Sequence, residues 1–287
     1  MSAPLSLGIH LPQFGRASSP EAITRAAVLA EELGFADVWV SDHVAQPASQ
    51  GYPSPYLYDP LLTLGWAAAA TSRVGLGTSV LVLPQHHPLY LANVLASLDN
   101  LSGGRLTVVG GVGWSEAEFV ALGQDFHNRG RRTDEIIDIL RACWRDDPVT
   151  FEGEFYRLDE MRVLPQPAHD IPIWIGGRAE AAYVRGTTRG DGFQTIGLEP
   201  AEAVPIVERL RRDRPESSYT ISLRTGWDPQ GMEHDRIRRE RDEFAAAGIQ
   251  HVVAAPWRDS IDDWLRSMEI LVELVEPAPP AGRTGNR

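Results

Sequence analysis

Short apolar runs alternate along the sequence with longer stretches in which apolar residues recur every three or four positions. The short runs predict eight strands, at residues 5–11, 36–41, 74–81, 105–110, 171–175, 192–196, 219–225 and 251–255. The longer stretches predict helices, because that spacing places apolar side chains on one helix face. The predicted helices span 20–33, 60–71, 89–101, 131–144, 179–188, 200–212, 235–247 and 261–275, with a further short helix starting near Ser115.

Capping residues mark the ends of several of these helices. Ser19 and Pro20 stand at the start of the first helix, and Gly34 follows its last residue. Serine accepts a backbone N–H at a helix start, proline suits the first turn, and glycine suits the residue after the last turn. Ser115 and Glu118 have the spacing of a capping box, which predicts that the two side chains bond to the backbone at the start of the short helix.

Eight strands, each followed by a helix, are the number that closes a (β/α)8 or TIM barrel. An open doubly wound sheet is the alternative, but its Gly-x-Gly-x-x-Gly motif is missing after the first strand. We therefore predict an α/β TIM barrel formed as one domain by residues 1–276. Residues 149–164 interrupt the alternation and predict a hairpin, within an insertion at 149–170. Residues 277–287 are rich in Pro and Gly and are predicted to be a disordered tail.

Charge and composition exclude several classes of function. The 287 residues include 27 Lys+Arg and 39 Asp+Glu, for a formal net charge of −12, which disfavours nucleic-acid binding. No apolar run reaches the roughly 18–20 residues of a membrane span, and the first ten residues lack the basic start of a signal peptide. With Cys143 as the single cysteine, these features predict a cytoplasmic protein without disulfides and without membrane contact.

The basic residues are all arginine. Without an ε-amine, the chain cannot form the Schiff base of aldolases and pyridoxal-phosphate enzymes, and it cannot form a Walker-type phosphate loop. Metal catalysis is disfavoured as well. His86 and His87 are adjacent, so in extended backbone they point in opposite directions, and neither His-x-His nor His-Glu-x-x-His occurs. We predict no metal site.

The carboxyl ends of the strands are where barrels of this kind place their active sites. Asp42 and His43 follow the second strand, and an imidazole there can accept or donate a proton near neutral pH. Gly176, Gly177 and Arg178 follow the fifth strand and precede a helix. Open backbone N–H groups, a helix N-terminus and a guanidinium together predict a phosphate site, although a plain strand-to-helix turn would look the same.

Four segments carry a resemblance to a known superfamily. They are residues 34–43 (GFADVWVSDH), 75–80 (GLGTSV), 111–114 (GVGW) with the following Glu118 and Phe119, and 173–178 (IWIGGR). In order and spacing they resemble the luciferase-like monooxygenase superfamily, and specifically its branch that depends on the deazaflavin coenzyme F420. The resemblance extends from about residue 5 to residue 274.

The resemblance implies a cofactor site across the strand ends, for F420 or, as the alternative, for FMN. A non-proline cis peptide would lie under the ring between Ser79 and Val80. His43 would handle the proton that accompanies hydride transfer, and Glu116 lies where some relatives place an acidic proton donor. The cofactor contacts would be made by Asp42, Ser79, Val80, Gly111, Val112, Gly113, Gly176, Gly177 and Arg178. Arg185 and Arg258 are further candidates for an anionic cofactor tail.

The predicted function is hydride transfer between F420 and a small organic substrate. The alternatives are an FMN monooxygenase supplied by a separate reductase, a non-catalytic flavin-binding barrel and a metal-dependent hydrolase. Because family members are commonly dimers, a homodimer is expected, with the helix at 60–71 and its Trp66 as one candidate contact. Tyr52, Tyr56, Trp114, Trp227 and Trp257 either wall an aromatic substrate pocket or pack in the core.

Overall fold

Eight parallel strands close into a barrel in the computed structural model, which describes residues 5–51 and 54–276. In chain order the strands are β1 Ser6–His10, β2 Asp37–Val40, β3 Gly75–Val82, β4 Leu106–Gly111, β5 Val149–Glu152, β6 Arg157–Met161, β7 Ile173–Gly176, β8 Gly192–Ile196, β9 Thr220–Thr225 and β10 His251–Ala254. All except β5 and β6 form the barrel, and β10 closes it against β1. The prediction of an eight-stranded TIM barrel is confirmed.

The helices lie between the strands, at positions that the apolar spacing predicts. They are α1 Pro20–Leu33, α2 Pro60–Ala70, α3 Pro88–Ser102, α4 Glu116–Ala121, α5 Arg129–Arg145, α6 Glu180–Arg189, α7 Pro200–Asp213, α8 His234–Ala247 and α9 Ile261–Val275. The caps of α1 are as predicted: Ser19 Oγ accepts from the Ala22 amide at 3.0 Å, and Gly34 takes a left-handed φ of +83°. Between residues 5 and 51 and from 54 to 276, no helix is long and apolar enough to cross a bilayer.

The hairpin of β5 and β6 lies outside the barrel, as the break in the pattern predicts. Glu135 of α5 holds its turn, because its carboxylate accepts from the amides of Phe155 and Tyr156 at distances down to 2.6 Å. A Cβ on Gly153 would collide with that carboxylate, so the turn requires glycine. Residues 277–287, predicted to be a disordered tail, lie outside the described residues.

The barrel interior is filled by large side chains. The rings of Trp39, Trp174 and His251 lie with centroids 5.5–5.9 Å apart. Glycines on neighbouring strands make room for them: a Cβ on Gly77 would overlap the Trp39 ring, and one on Gly192 would lie 2.7 Å from Trp174. Since the interior is packed, a ligand of this barrel binds at its rim.

Candidate active site

An open cavity of about 310 Å³ lies at the carboxyl ends of the barrel strands. Ten of the residues singled out from the sequence line it: Asp42, His43, Ser79, Val80, Gly111, Val112, Gly113, Trp114, Gly176 and Gly177. The other lining residues are Phe14, Ser41, Leu57, Val82, Gln194, Thr195, Ile196 and Arg224. Barrel closure therefore brings together side chains that are up to 210 positions apart, from Phe14 to Arg224.

His43 is held at the cavity wall by Glu118 of α4. Its Nδ1 lies 3.0 Å from Glu118 Oε2, and the Glu118 side chain is only 1% exposed. The imidazole also meets the Trp114 indole edge-on, with ring centroids 5.6 Å apart. Because a carboxylate only accepts hydrogen bonds, Nδ1 carries the hydrogen, and Nε2 is the nitrogen that can exchange a proton with a ligand.

Glu118 also fixes the loop that carries His43. Its Oε1 accepts from the amides of Val44 and Ala45, at 2.6 and 3.1 Å. Burial raises the pKa of Glu118, but the hydrogen bonds from His43 and from both amides outweigh burial and lower that pKa to about 2. Glu118 is therefore ionised at neutral pH. The capping-box prediction is wrong, because Glu118 bonds to the His43 loop and Ser115 makes no capping hydrogen bond.

Val80 forms a ledge on the cavity floor between two glycines. The Ser79–Val80 peptide bond is cis, at the position that the resemblance implies. A Cβ on Gly111 would lie 2.5 Å from Val80 Cγ2, and a Cβ on Gly176 would overlap Val80 Cγ1. Glycine at these two positions of β4 and β7 therefore leaves room for Val80 and keeps the cavity floor beside it open.

Asp42 is buried beneath the cavity and connects β2 to the segment after β3. Its Oδ2 accepts from the Val82 amide and from His86 Nε2, both at 2.8 Å. Burial lowers the pKa of His86, but the hydrogen bond and charge of Asp42 outweigh burial and raise it. Asp42 Oδ1 is buried and has no hydrogen-bond partner among residues 5–51 and 54–276. Asp42 thus positions the strand ends and also leaves one acceptor at the cavity.

Arg224, at the end of β9, places a positive charge at the cavity. Its guanidinium donates to Ser41 Oγ at 3.0 Å and to the carbonyl oxygen of Ser79. It also lies 5.2 Å from the centroid of the Trp257 ring. Burial, and then the charge of Arg224, hold the pKa of the adjacent His10 well below its ordinary range. His10 is therefore neutral, and Arg224 is the permanent charge at this part of the floor.

Gly177 and Arg178 connect β7 to α6 at the cavity edge. Gly177 has a φ of +151°, and a Cβ there would lie 2.8 Å from the Ala182 Cβ, so the turn requires glycine. The N-terminus of α6 lies beside this turn, and the first turn of a helix leaves some N–H groups without an acceptor inside the helix. The Ala182 amide of this turn already donates to the Ala179 carbonyl at 2.9 Å. Arg178 is half-exposed, donates to the Gly197 carbonyl at 3.1 Å and lies 3.7 Å from Glu202.

A model of the luciferase-like monooxygenase family matches residues 5–227. The chain belongs to this family. An F420-dependent glucose-6-phosphate dehydrogenase from Nakamurella multipartita is 37% identical to it over 274 residues, which cover 91% of this chain and 78% of that protein. The predicted membership of the luciferase-like superfamily is confirmed, and with it the prediction that the chain is an enzyme.

Solved structures share the fold of this luciferase-like enzyme. An F420-dependent secondary alcohol dehydrogenase, in complex with an F420–acetone adduct, gives a TM-score of 0.79 at 19% identity and covers 95% of this chain and 99% of its own. A monooxygenase from Streptomyces bottropensis gives a TM-score of 0.75 at 24% identity and covers 94% of this chain and 98% of its own. At such identities the likeness establishes the barrel fold alone.

Glu116 of this luciferase-like enzyme does not line the cavity. Its side chain is exposed at the start of α4, and its Oε1 lies 3.8 Å from Nε2 of His127, which is exposed as well. The acidic residue that contacts His43 is Glu118, two positions further along the same helix. The signal for it in the sequence was the Glu118-Phe119 pair of the resembling segment.

The three arginines considered as contacts for the anionic tail of the cofactor differ in exposure. Arg185 is buried and its Nε lies 2.6 Å from Asp134, while Arg258 lies 2.6 Å from Asp228. Both are therefore paired within the protein. Arg178 adjoins the paired glycines and is also paired, 3.7 Å from Glu202, but about half of its side chain is exposed.

The aromatic residues considered for a substrate pocket lie in different surroundings. Trp114 lines the cavity and is 54% exposed. Trp227 is fully buried and donates to Glu240, so it packs in the core. Tyr52 lies outside the described residues. Within the part of the chain that the structure describes, no three His, Cys, Asp or Glu side chains are grouped so that they could hold a metal ion.

Ser41, Gln194 and Arg224 are among the lining residues that were not assigned a role from the sequence. All three are polar and lie at or near the end of a barrel strand. A polar residue near the carboxyl end of an otherwise apolar strand is the signal that would have indicated them. Their partners could not be read from the sequence, because each contact joins strands that only barrel closure brings together.

Proposed function

We propose that this protein transfers a hydride between coenzyme F420 and a small uncharged organic substrate, with His43 exchanging the accompanying proton. The observation that carries the proposal is the 3.0 Å hydrogen bond between His43 Nδ1 and Glu118 Oε2 at the wall of the cavity. It fixes the imidazole tautomer and leaves Nε2 to exchange a proton, which is the arrangement that a general acid–base group needs.

The residues of the cavity fit a flat cofactor with an anionic tail. Gly111 and Gly176 keep the floor open on both sides of the Val80 ledge. The buried, unpaired Oδ1 of Asp42 is an acceptor for a ring N–H. At the edge, the N-terminus of α6 and Arg178 supply N–H donors and positive charge for a phosphate, whereas the Gly177 amide already donates to the Gln194 carbonyl at 3.2 Å. The 37% identity to an F420-dependent enzyme supports the choice of cofactor.

When bound, a deazaflavin ring supplies two-electron hydride chemistry. The protein supplies the proton exchange. In the direction of alcohol oxidation, a hydride leaves the carbinol carbon and a proton leaves the hydroxyl group, and His43 Nε2 accepts that proton. Glu118 is ionised, because its pKa lies at about 2, and it stabilises the imidazolium that results. Reduction of the carbonyl compound reverses both transfers.

The lining favours a substrate without charge. Among the described lining residues, Arg224 is the one with a permanent positive charge, and its Nη1 is already bonded to Ser41 and Ser79. The chain contains no lysine that could add a second cation. A phosphorylated sugar needs several charge-assisted hydrogen bonds to its phosphate, whereas Phe14 and Leu57 present apolar surface. We therefore expect a secondary alcohol or its ketone.

FMN-dependent monooxygenation is the second candidate, favoured by the match to the luciferase-like monooxygenase family. The same floor and phosphate site would accept FMN, and a separate reductase would then be needed to reduce it. Binding data for the two cofactors distinguish these functions. A barrel that binds a flavin without catalysis is distinguished by turnover.

A homodimer is a further proposal. Leu62 and Trp66, one helical turn apart on α2, are 77% and 56% exposed. With Ile23 and Tyr58 they line an apolar groove of about 180 Å³ against α1. A second copy of the protein would cover this groove. Sedimentation of the wild type and of Leu62→Arg tests the proposal: we expect the wild type as a dimer and the variant as a monomer.

Turnover by wild type and His43→Ala tests the proposed function. Each is mixed with F420 and with propan-2-ol, cyclohexanol or glucose 6-phosphate, and reduction of F420 is followed by its absorbance. We expect the wild type to oxidise a secondary alcohol and not the sugar phosphate. His43→Ala should lower kcat by about 10²- to 10⁴-fold and change the F420 Kd by less than about twofold.

His127→Ala is the matched control, because it removes an exposed histidine outside the cavity lining and should leave kcat unchanged. Equal turnover by His43→Ala and wild type would contradict the role of His43. F420 binding by a wild type that oxidises no alcohol and reduces no ketone would instead support the non-catalytic barrel.

A further inference from the structure

Five polar side chains form a hydrogen-bonded series through the barrel interior, from the cavity wall to the opposite end. We call this series the interior relay; its members are Ser79, Gln194, Ser222, His251 and Asp37. Ser79 Oγ lies 2.5 Å from Gln194 Oε1, and Gln194 Nε2 lies 3.2 Å from Ser222 Oγ. Ser222 Oγ lies 2.8 Å from His251 Nδ1, and His251 Nε2 lies 3.0 Å from Asp37 Oδ1.

The register of the barrel places these residues side by side. Gln194 of β8 is the register partner of Ser222 in β9, and Ser222 is the partner of His251 in β10. Ser79, Gln194, Ser222 and His251 are each no more than 3% exposed. In such an environment each hydrogen needs an acceptor, because an unpaired buried polar group costs about 1–3 kcal/mol.

The direction of the relay is fixed at its far end. The indole Nε1–H of Trp39 can only donate, and it donates to Asp37 Oδ1. That oxygen is therefore an acceptor, so the His251 Nε2 beside it carries a hydrogen. A Cβ on Gly8 would collide with Asp37 Oδ1, and glycine in β1 thus leaves space for this end of the relay.

The other hydrogens follow from the first. Gln194 Oε1 accepts from the Ser79 hydroxyl, and Gln194 Nε2–H donates to Ser222 Oγ. The Ser222 hydroxyl then donates to His251 Nδ1, so each hydrogen bond of the relay has one donor and one acceptor. The reverse arrangement, with the Gln194 amide turned over, requires Nδ1 of His251 to donate as well. The Gln194 amide has the opposite placement, with Oε1 toward Ser79 and Nε2 toward Ser222.

We infer that the interior relay holds Ser79 as a hydrogen-bond acceptor toward the cavity, so that the bound cofactor presents an N–H group to Ser79 Oγ. This inference rests on the proposed function in that the ligand is a flavin-type ring, and both F420 and FMN carry an imide N–H. Ser79 and Gln194 line the cavity. Ser222, His251 and Asp37 act through them and are positioning residues.

The tautomer of His251 tests the relay without any cofactor. In ¹⁵N-detected NMR of histidine-labelled protein, the His251 ring is identified by its absence from the spectrum of His251→Gln. We expect hydrogen on Nε2 and a hydrogen-bonded Nδ1 that carries no hydrogen. In Ser222→Ala the Nδ1 resonance should shift toward the value of an unbonded ring nitrogen. Hydrogen on Nδ1, alone or with Nε2, would overturn the inference even if F420 binds.

Cofactor affinity tests the consequence at the cavity. Ser222→Ala removes the middle of the relay and touches no ligand, and Ser102→Ala is its control. Ser102 is likewise a buried serine, but it bonds to the Asp99 carbonyl at the end of α3. We expect Ser222→Ala to weaken binding of F420, or of FMN if that is the cofactor bound, by about three- to tenfold. The cofactor affinity of Ser222→Thr should be closer to that of the wild type, and that of Ser102→Ala should be unchanged. Wild-type affinity in folded Ser222→Ala would overturn the inference. A wild type that binds neither cofactor would refute the proposed function, and the NMR result would then decide whether the hydrogen bonds of the relay have the inferred direction.

Discussion

His43 and Glu118 are separated by 75 positions in the chain, and His43 Nδ1 lies 3.0 Å from Glu118 Oε2. The other oxygen of the same carboxylate accepts from the amides of Val44 and Ala45. One buried side chain of α4 therefore sets both the position of the loop after β2 and the tautomer of its histidine. This pairing fixes the imidazole at the rim of the barrel, as the proposed proton exchange requires.

Exchange of Glu118 for glutamine tests that pairing. Glu118 accepts from three donors, His43 Nδ1 and the amides of Val44 and Ala45. The glutamine of Glu118→Gln has one acceptor oxygen, so its NH₂ group must face either the two backbone amides or His43 Nδ1. We expect kcat to fall by about 10²- to 10³-fold, with the imidazole hydrogen moved to Nε2 in NMR spectra. Glu116→Gln, an exposed change on the same helix, is the control. A variant with the wild-type kcat would show that the pairing is not needed for proton exchange.

Acid stability should reflect a second carboxylate that accepts several hydrogen bonds, that of the half-buried Glu31. This carboxylate accepts from the amides of Ser72 and Val74 at 2.9 and 3.0 Å. Burial raises the pKa of Glu31, but these and further hydrogen bonds outweigh burial and lower that pKa from 4.5 to about 2. A lowered pKa in the folded state stabilises the fold above the unfolded value, and this stability is lost as the pH falls from about 4.5 toward 2.

Urea unfolding of wild type and Glu31→Gln at several pH values measures this contribution. We expect the variant to be less stable by about 1–3 kcal/mol at pH 7, and we expect the difference to shrink steadily below pH 4.5. A difference that stays constant between pH 7 and pH 3 would contradict the role of the carboxylate charge.

Space beside Val80 should limit cofactor binding. In Gly176→Ala the new methyl group would overlap Val80 Cγ1, and its next neighbour would be Val109 Cγ1 at 3.1 Å. We expect a loss of stability of about 1–3 kcal/mol and weaker F420 binding. Val80→Ala should restore part of both in the double variant, which a double-mutant cycle measures as coupling. Gly226→Ala is the control, because nothing lies within 4 Å of the added Cβ, and it should change neither stability nor F420 affinity. Additive effects of the substitutions at positions 80 and 176 would show that the two side chains do not compete for the same space.

Arg178 should contribute to binding through the cofactor's phosphate. Since a hydrogen bond to a charged group contributes about 1.5–3 kcal/mol, Arg178→Ala should raise the F420 Kd by about 10- to 100-fold. It should leave the Kd of the deazaflavin riboside, which lacks phosphate, unchanged. Calorimetric titrations of both ligands, with the remote Arg238→Ala as control, measure this. An equal loss for both ligands would place the effect in the fold of the turn rather than in a phosphate contact.

The barrel could be predicted because its signals are local. Ser19, Gly34 and the apolar spacing between them define α1 within the sequence itself, and equivalent signals place the other elements to within two residues. Residues at strand ends, such as His43, follow from the same reasoning once the barrel is recognised. Local signals also explain the error at α4: the spacing of Ser115 and Glu118 fits a helix cap equally well, and only barrel closure brings Glu118 to the His43 loop.

The interior relay could not be predicted for a related reason. Ser222 and His251 are polar residues in two short strands, and nothing near them in the sequence distinguishes a hydrogen-bonded pair from two solvent-facing side chains. Their contact depends on the register between β9 and β10. The space for Asp37 depends on Gly8 in a different strand. Contacts of this kind require the closed barrel, because no local pattern encodes them.

Equilibrium titration of the purified protein with F420 and with FMN tests the central claim most directly. Binding is followed by fluorescence for each cofactor, in the wild type, at physiological ionic strength. The structure of the cavity and the relatives predict saturable F420 binding with a Kd in the micromolar range or below, and weaker binding of FMN. Tight binding of FMN without measurable binding of F420 would contradict the proposed function.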